Sequence, residues 1–163
     1  MKNGVAISLL VADETWIATA LLQKEHPDRP DFTVQEIIQR ARTENITGSL
    51  RKGVSVHGFQ HCVANRPPNS ATYRMLYATG KTTRRLFREG DDAHPKRTGK
   101  ITPEAGAIPP QYRYLLDWYH KEYAPPGRDN WLNSVRQLAG LGRDIFAGID
   151  ADEYVRQLRA GWE

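Results

Sequence analysis

The hexapeptide Phe32-Thr33-Val34-Gln35-Glu36-Ile37 is the stretch that most narrowly constrains how this chain folds. The Thr33 hydroxyl can accept a hydrogen bond from the amide of Glu36, and the Glu36 carboxylate can reach back to the amide of Thr33. Phe32 before the cap and Ile37 inside the helix can pack as a staple. Val34, Ile37, Ile38 and Ala41 then share one apolar face, with Gln35, Gln39, Arg40 and Arg42 mostly off it. Such a cap is worth about 1 kcal/mol, so a helix boundary is expected at Thr33.

A preceding helix is expected from near Asp13, which can cap it, with Glu14 at the positive end of its dipole. Ile17, Ala20, Leu21 and Lys24 recur at helical spacing beside Trp16. His26-Pro27-Asp28-Arg29-Pro30 ends this helix, because proline has no amide to donate and its ring blocks continuation. Residues 1–12 are expected to form a short extended arm. Val5 to Ala12 is apolar after Lys2, but it is short and runs straight into Asp13-Glu14, unlike a secretory leader.

The capped helix is followed by a weaker one, from about Ser49 to Asn65. Leu50, Val54, Val56 or Phe59, Cys62 and Val63 suit one buried side. Gly53 and Gly58 each weaken a helix by about 1 kcal/mol relative to alanine, and both permit close approach of a backbone or of phosphates. Arg66-Pro67-Pro68-Asn69 stops it. Tyr73, Met75 and Tyr77 alternate with Arg74, Leu76 and Ala78 at the period of a strand. Thr79-Gly80-Lys81 turns the chain, and Thr82 to Arg88 returns as the second strand, with Leu86 or Phe87 facing the core. A further helix is expected from Pro109-Pro110 through Tyr112, Leu115, Leu116 and Tyr119. Tyr123-Ala124-Pro125-Pro126-Gly127 reads as a linker. Two amphipathic stripes follow, one through Leu132, Val135, Leu138, Ala139, Ile145 and Phe146, the other through Tyr154, Val155, Leu158 and Trp162.

Helix, turn, helix and basic hairpin is the layout of a winged helix. The expected fold is mainly α with a small β-hairpin: a winged helix-turn-helix (residues 13–106) with a packed helix after it (to 123), then a helical tail (131–163). Charge agrees with such a role. The whole chain carries only +4, yet residues 46–100 hold eleven basic and three acidic side chains. A basic segment of this kind suits a polyanion partner, though a solvated face would look the same. Arg51, Lys52, Ser55, Gln60 and His61 are expected to face a DNA groove. Lys81, Thr82, Arg84 and Arg85 are expected to contact phosphates.

Other chemistries fit less well. Ala78-Thr79-Gly80-Lys81-Thr82 resembles a phosphate loop, but Met75 stands where that motif needs its first glycine. His57 and His61 would share a helical face next to Cys62, but a zinc site would still lack a ligand, so no metal or other cofactor is expected. Cys62 lacks the surroundings of a nucleophile. Glu89, Asp91 and Asp92 beside Lys96 read as a soluble loop, and no enzymatic activity is expected. No apolar run approaches the ~20 residues that span a bilayer, so no membrane association is expected. The single cysteine excludes an internal disulfide and fits a cytoplasmic setting.

Two resemblances accompany this reading. Trp16 through Arg88 resembles an uncharacterised bacterial winged-helix family in Phe32-Thr33-Val34-Gln35-Glu36-Ile37, in His61-Cys62-Val63-Ala64-Asn65-Arg66-Pro67 and in the Tyr73 to Arg88 hairpin. That resemblance implies a DNA-binding fold without an assigned reaction. The tail, from Val135-Arg136-Gln137-Leu138 to Trp162-Glu163, is similar to short prokaryotic antitoxins that pair with PIN-domain ribonucleases. It departs from them in the long segment ahead of it. The resemblance implies a protein partner held by Leu138, Ile145, Phe146, Tyr154, Leu158 and Trp162. The expected function is binding of double-stranded DNA as a transcriptional regulator. The alternative is an interaction module or antitoxin whose C-terminal helices hold a partner protein.

Overall fold

The structure, a computed structural model, describes residues 8–127. But for Gly127 these belong to the first of two compact units, Met1–Pro126 and Gly127–Glu163. The six tail residues expected to hold a partner lie outside the described residues.

The fold is helix-rich with a small antiparallel sheet. Helix α1 (Val11–Glu25) is its axis: every residue from Ala12 to Gln23 is buried. Sequence periodicity points to a single apolar stripe, but the helix is enclosed on all sides. Among the described residues its polar side chains find partners inside, apart from the Trp16 indole N–H. Thr15 and Thr19 donate to the carbonyls of Val11 and Thr15 at 2.8 and 2.9 Å. Asp13 and Glu14 pair with Lys100 and Arg51. Full burial of each large apolar side chain contributes about 1.5–3 kcal/mol. Trp16, Ile17 and Leu21 on this helix join Met75, Leu76, Leu86, Ile108 and Leu115 in the larger core cluster.

Strand β1 (Phe32–Thr33) leads into α2 (Val34–Glu44) through the expected capping box. Thr33 Oγ1 accepts from the Glu36 amide at 3.2 Å, and Glu36 Oε2 accepts from the Thr33 amide at 2.8 Å. Val34, Ile37 and Ala41 are buried. Phe32, Ile37, Ala41 and Val54 pack with Ala18 and Leu22 of α1 as a second cluster. Asn45 closes α2 in the left-handed conformation, its amide donating to Ala41 at 3.0 Å.

The next helix is shorter than its apolar pattern suggests. It consists of α3 (Gly53–Val56) and a π-helical turn (His57–His61). The amide of Cys62 donates to the carbonyl of His57, five residues back, at 3.1 Å. Gly53 and Gly58 do serve close approach, but of side chains: a Cβ on either would stand 3.0 Å from a methyl of Val11 or Val34.

Strands β2 (Leu76–Ala78) and β3 (Thr83–Leu86) form the hairpin; β2 starts later than the alternation suggests but ends at Ala78 as expected, and β3 is shorter at both ends. The sheet order is β1-β3-β2, all antiparallel, with Phe32 opposite Arg84 and Leu76 opposite Leu86. Leu86 and Phe87 are both buried. The segment from Pro110 to Tyr123 is helical throughout but changes pitch, from a 3-10 turn (Pro110–Tyr112) to α4 (Tyr114–Trp118) to a π turn (Tyr119–Tyr123). It packs against the core through Tyr112, Leu115, Trp118 and Tyr119. The Tyr119 hydroxyl donates to Phe87 and that of Tyr123 to Leu86, which fixes this segment against the sheet.

Candidate nucleic-acid interface

The helix Gly53–His61 and the hairpin turn at residues 79–82 are held side by side by two arginines. Arg84 Nε donates to the carbonyl of Gly58 at 3.0 Å, and its Nη1 donates to Gly80 at 3.0 Å and to Thr83 at 2.6 Å. Arg66 spans the same pair of elements, donating to Phe59 at 3.2 Å and to Lys81 at 3.1 Å. The amide side chain of Asn65 accepts from the Ala78 amide at 2.9 Å and donates to its carbonyl at 3.0 Å, like an added strand residue. Asp31 accepts from Thr79 on the other side of the turn. The turn is therefore fixed to the helix end and to β1, not hung as a free arm.

This arrangement corrects part of the expected contact set. Arg84 is fully buried. Its partners are carbonyls, and burial together with the nearby Arg66 lowers its pKa to about 10. It is not available to a phosphate. Strand alternation carries this signal, because Arg84 lies two residues from Leu86 and so shares its inward face. Arg85 lies on the opposite face of β3 but is likewise taken up, half-buried and paired with Asp91 at 2.7 Å, its guanidinium 4.5 Å from the centroid of the Tyr77 ring. Arg51 is drawn to the buried Glu14 carboxylate at 2.5 Å and donates to Leu9 at 2.7 Å.

Two more cations of the basic segment serve the fold. Arg97 is buried and donates to the carbonyls of Gln60, His61, Arg66, Tyr73 and Pro67. Its guanidinium thus covers the carbonyl end of the π turn, where the helix dipole is negative. Lys100 pairs with Asp13 at 2.7 Å. Much of the basic surplus is therefore consumed internally.

Lys52, Lys81 and Thr82 remain exposed, with Ser55 and Gln60 half-buried. Val56 stands 49% exposed in the same helix. His61 is half-buried, and its Nδ1 is enclosed without a hydrogen-bond partner among the described residues. The helical spacing of His57 and His61 suggests a shared face, and their ring centroids stand 5.0 Å apart; the π turn also sets His57 against Cys62, with Nδ1 to Sγ at 3.3 Å. Burial, then the His61 and Arg51 charges, push the His57 imidazole down to about 4, and burial pushes the Cys62 thiol up. Among the described residues no group of three or more His, Cys, Asp and Glu side chains could hold a metal ion. None of the described helices is long and apolar enough to cross a membrane. Comparison of the chain with family models, curated proteins and solved structures finds no match.

Proposed function

We propose that this protein binds double-stranded DNA as a winged helix, with Gly53–His61 as recognition helix and the turn at residues 79–82 as wing, in the manner of a transcriptional regulator. The observation that carries the reading is the joint placement of these two elements. Three helices, with β1 between the first two, precede the β2–β3 hairpin of a sheet of order β1-β3-β2, and Arg66 and Arg84 fix the hairpin turn beside the second half of the helix. A rigid helix with an adjacent rigid turn suits a groove and the backbone next to it. The contact set is narrower than charge alone suggests: Lys52 and Lys81 for phosphates, Ser55 and Gln60 toward base edges, Thr82 beside the wing tip.

The test is fluorescence anisotropy of labelled duplex DNA with the full chain across a salt series. Log affinity is expected to fall with log salt by about 0.9 per phosphate contacted. The double variant Lys52→Ala, Lys81→Ala is expected to show a slope shallower by about 2 on that scale. Absence of binding even at low salt would sink the reading. A protein-docking role for the same helix is the second reading, favoured by the exposure of Val56 at its surface.

A further inference from the structure

We infer that His57, Cys62 and Met75 form a binding site for a soft monovalent metal ion, Cu(I) by its chemistry. In a regular α-helix, residues five apart lie about 140° apart around the axis and do not face each other. The π turn His57–His61 removes that offset. It brings His57 Nδ1 to 3.3 Å from Cys62 Sγ, while Met75, from the segment entering β2, places its Sδ 4.0 Å from the same sulfur. Single π turns inside helices are rare and concentrate at functional positions. Here the distortion joins an imidazole to a thiol that already touches a thioether.

The separations fit a metal. With bonds of about 2.0 Å to nitrogen and about 2.3 Å to sulfur, meeting at about 100–120°, donor atoms stand roughly 3.3–3.7 Å apart for N···S and roughly 3.5–4.0 Å for S···S. Both observed separations fall in those ranges. The ligand set selects the ion: thiolate and thioether favour Cu(I), whereas a structural zinc site needs four ligands and does not use methionine. His61 stands next to His57, ring centroids 5.0 Å apart, but outside the ligand set. Cys62 and Met75 are fully buried, which keeps water and oxidants from the sulfurs, while His57 and His61 are half-buried and give the ion its way in.

Binding is an exchange of one proton for one ion. The Cys62 S–H bond breaks, a sulfur–metal bond forms, and the proton leaves to solvent. Copper enters and stays as Cu(I), so no electron moves. The short contact between His57 and Cys62 is the line along which the ion replaces the thiol proton, and coordination deprotonates a thiol even where burial opposes the free thiolate.

The experiment is anaerobic titration of the full chain with the acetonitrile complex of Cu(I) against bathocuproine disulfonate, with X-ray absorption on the loaded protein. One ion per chain is expected, held by two sulfurs and at least one nitrogen. The chain has one cysteine and two methionines, so the sulfur count nearly identifies the ligands. Cys62→Ser is expected to weaken binding at least 100-fold. Met75→Leu, which conserves core volume, is expected to weaken it about tenfold and to leave one sulfur in the absorption spectrum. If Cys62→Ser does not fold by circular dichroism, Met75→Leu and the sulfur count decide. Failure of the folded wild type to retain Cu(I) overturns the site. Retention unchanged by Met75→Leu, or coordination without two sulfurs, does so equally. DNA binding is not involved in any of these readouts, so the two proposals stand or fall separately.

Discussion

Arg84 donates from Nε to the carbonyl of Gly58 at 3.0 Å, and this bond joins the hairpin to the helix it lies beside. A guanidinium with no carboxylate partner among the described residues is here a framework piece. It closes carbonyls that neither sheet nor helix can satisfy, and its planar fork reaches several at once.

Replacement of Arg84 by methionine is therefore expected to cost stability, not DNA affinity alone. Leaving buried carbonyls without donors costs about 1–3 kcal/mol each, so a loss of roughly 2–4 kcal/mol is expected in urea denaturation. Arg84→Lys is expected to recover only part, since one ammonium cannot follow the same fork. Lys81→Ala, at the exposed tip, is expected to stay within about 0.5 kcal/mol of wild type. Equal effects at the two positions would refute this division between framework and surface.

The capping box makes a separate prediction in acid. Hydrogen bonding from Arg29, then from the Thr33 amide and hydroxyl, lowers the Glu36 pKa from its ordinary value to about 2. A depressed carboxylate contributes stability that is full above its unfolded pKa and is lost as pH falls through the folded one. The window thus runs from about pH 4.5 down to about pH 2. Both side chains of the Arg29–Glu36 pair stand more than a third exposed, so solvent screens the ion pair and the cap carries most of the effect. Glu36→Ala, which removes the reciprocal cap bond, is expected to cost about 1 kcal/mol at pH 7 and much less at pH 2. Urea curves of both proteins across that range give the comparison.

His57 titrates in a different window. Burial chiefly, with the His61 and Arg51 charges, holds its pKa at about 4. The imidazole is neutral in the fold, and the unfolded chain takes up its proton first. Its contribution to stability is whole above about pH 6.5 and is lost as pH falls toward 4. In the metal-free protein the His57 ring resonance is expected to hold its neutral shift to below pH 5. A midpoint near 6.5 by nuclear magnetic resonance would mean that the ring is not held against Cys62.

Local chemistry explains which features are legible in the sequence. The Thr33–Glu36 box and the stop at His26-Pro27 need only neighbours within a few residues, and both stand where the sequence places them. The interior of α1 is different. Asp13, Glu14 and Gln23 look like a solvated face, and what buries them comes from Lys100, Arg51 and Tyr123, distant in the chain. The arginines mislead for the same reason. Nothing local tells Arg97, which covers five carbonyls, from Lys96, which is exposed. Only at Arg84 does a local signal exist, its place two residues from Leu86 on the inward face of β3. The π turn has no sequence mark beyond one glycine, Gly58, and a weak apolar pattern.

Gly99 gives a test of backbone packing. A Cβ there would stand 2.7 Å from the Thr72 carbonyl oxygen and 2.9 Å from the Tyr73 Cα, and backbone cannot retreat as a flexible side chain can. Gly99 also donates to Thr72 at 2.9 Å, so the two segments are tied at this point. Gly99→Ala is expected to lose about 1–3 kcal/mol. At Gly106 an added Cβ meets nothing within 4 Å, and Gly106→Ala is expected to be near neutral. A thermal melt of each variant decides whether the loop 89–106 is packed as tightly as this contact requires.

The pair Asp13–Lys100 allows the most discriminating stability test. Asp13 is fully enclosed in the first turn of α1, and among the described residues its oxygens have no hydrogen-bond partner besides the Lys100 ammonium. Burial raises its pKa, and Lys100 works against that rise. Lys100→Met removes the only compensation and is expected to cost roughly 3–5 kcal/mol at pH 7, because a buried charge is left alone. The sign of the pH dependence then follows. A carboxyl whose folded pKa is raised binds its proton more readily in the fold, so the variant is expected to gain stability as pH falls below 7. Adding Asp13→Asn removes the charge that creates the penalty. The double variant is expected to be more stable than Lys100→Met alone at pH 7 and to lose its acid stabilisation. If it is instead less stable than Lys100→Met, the unpaired Asp13 charge is not what destabilises that variant.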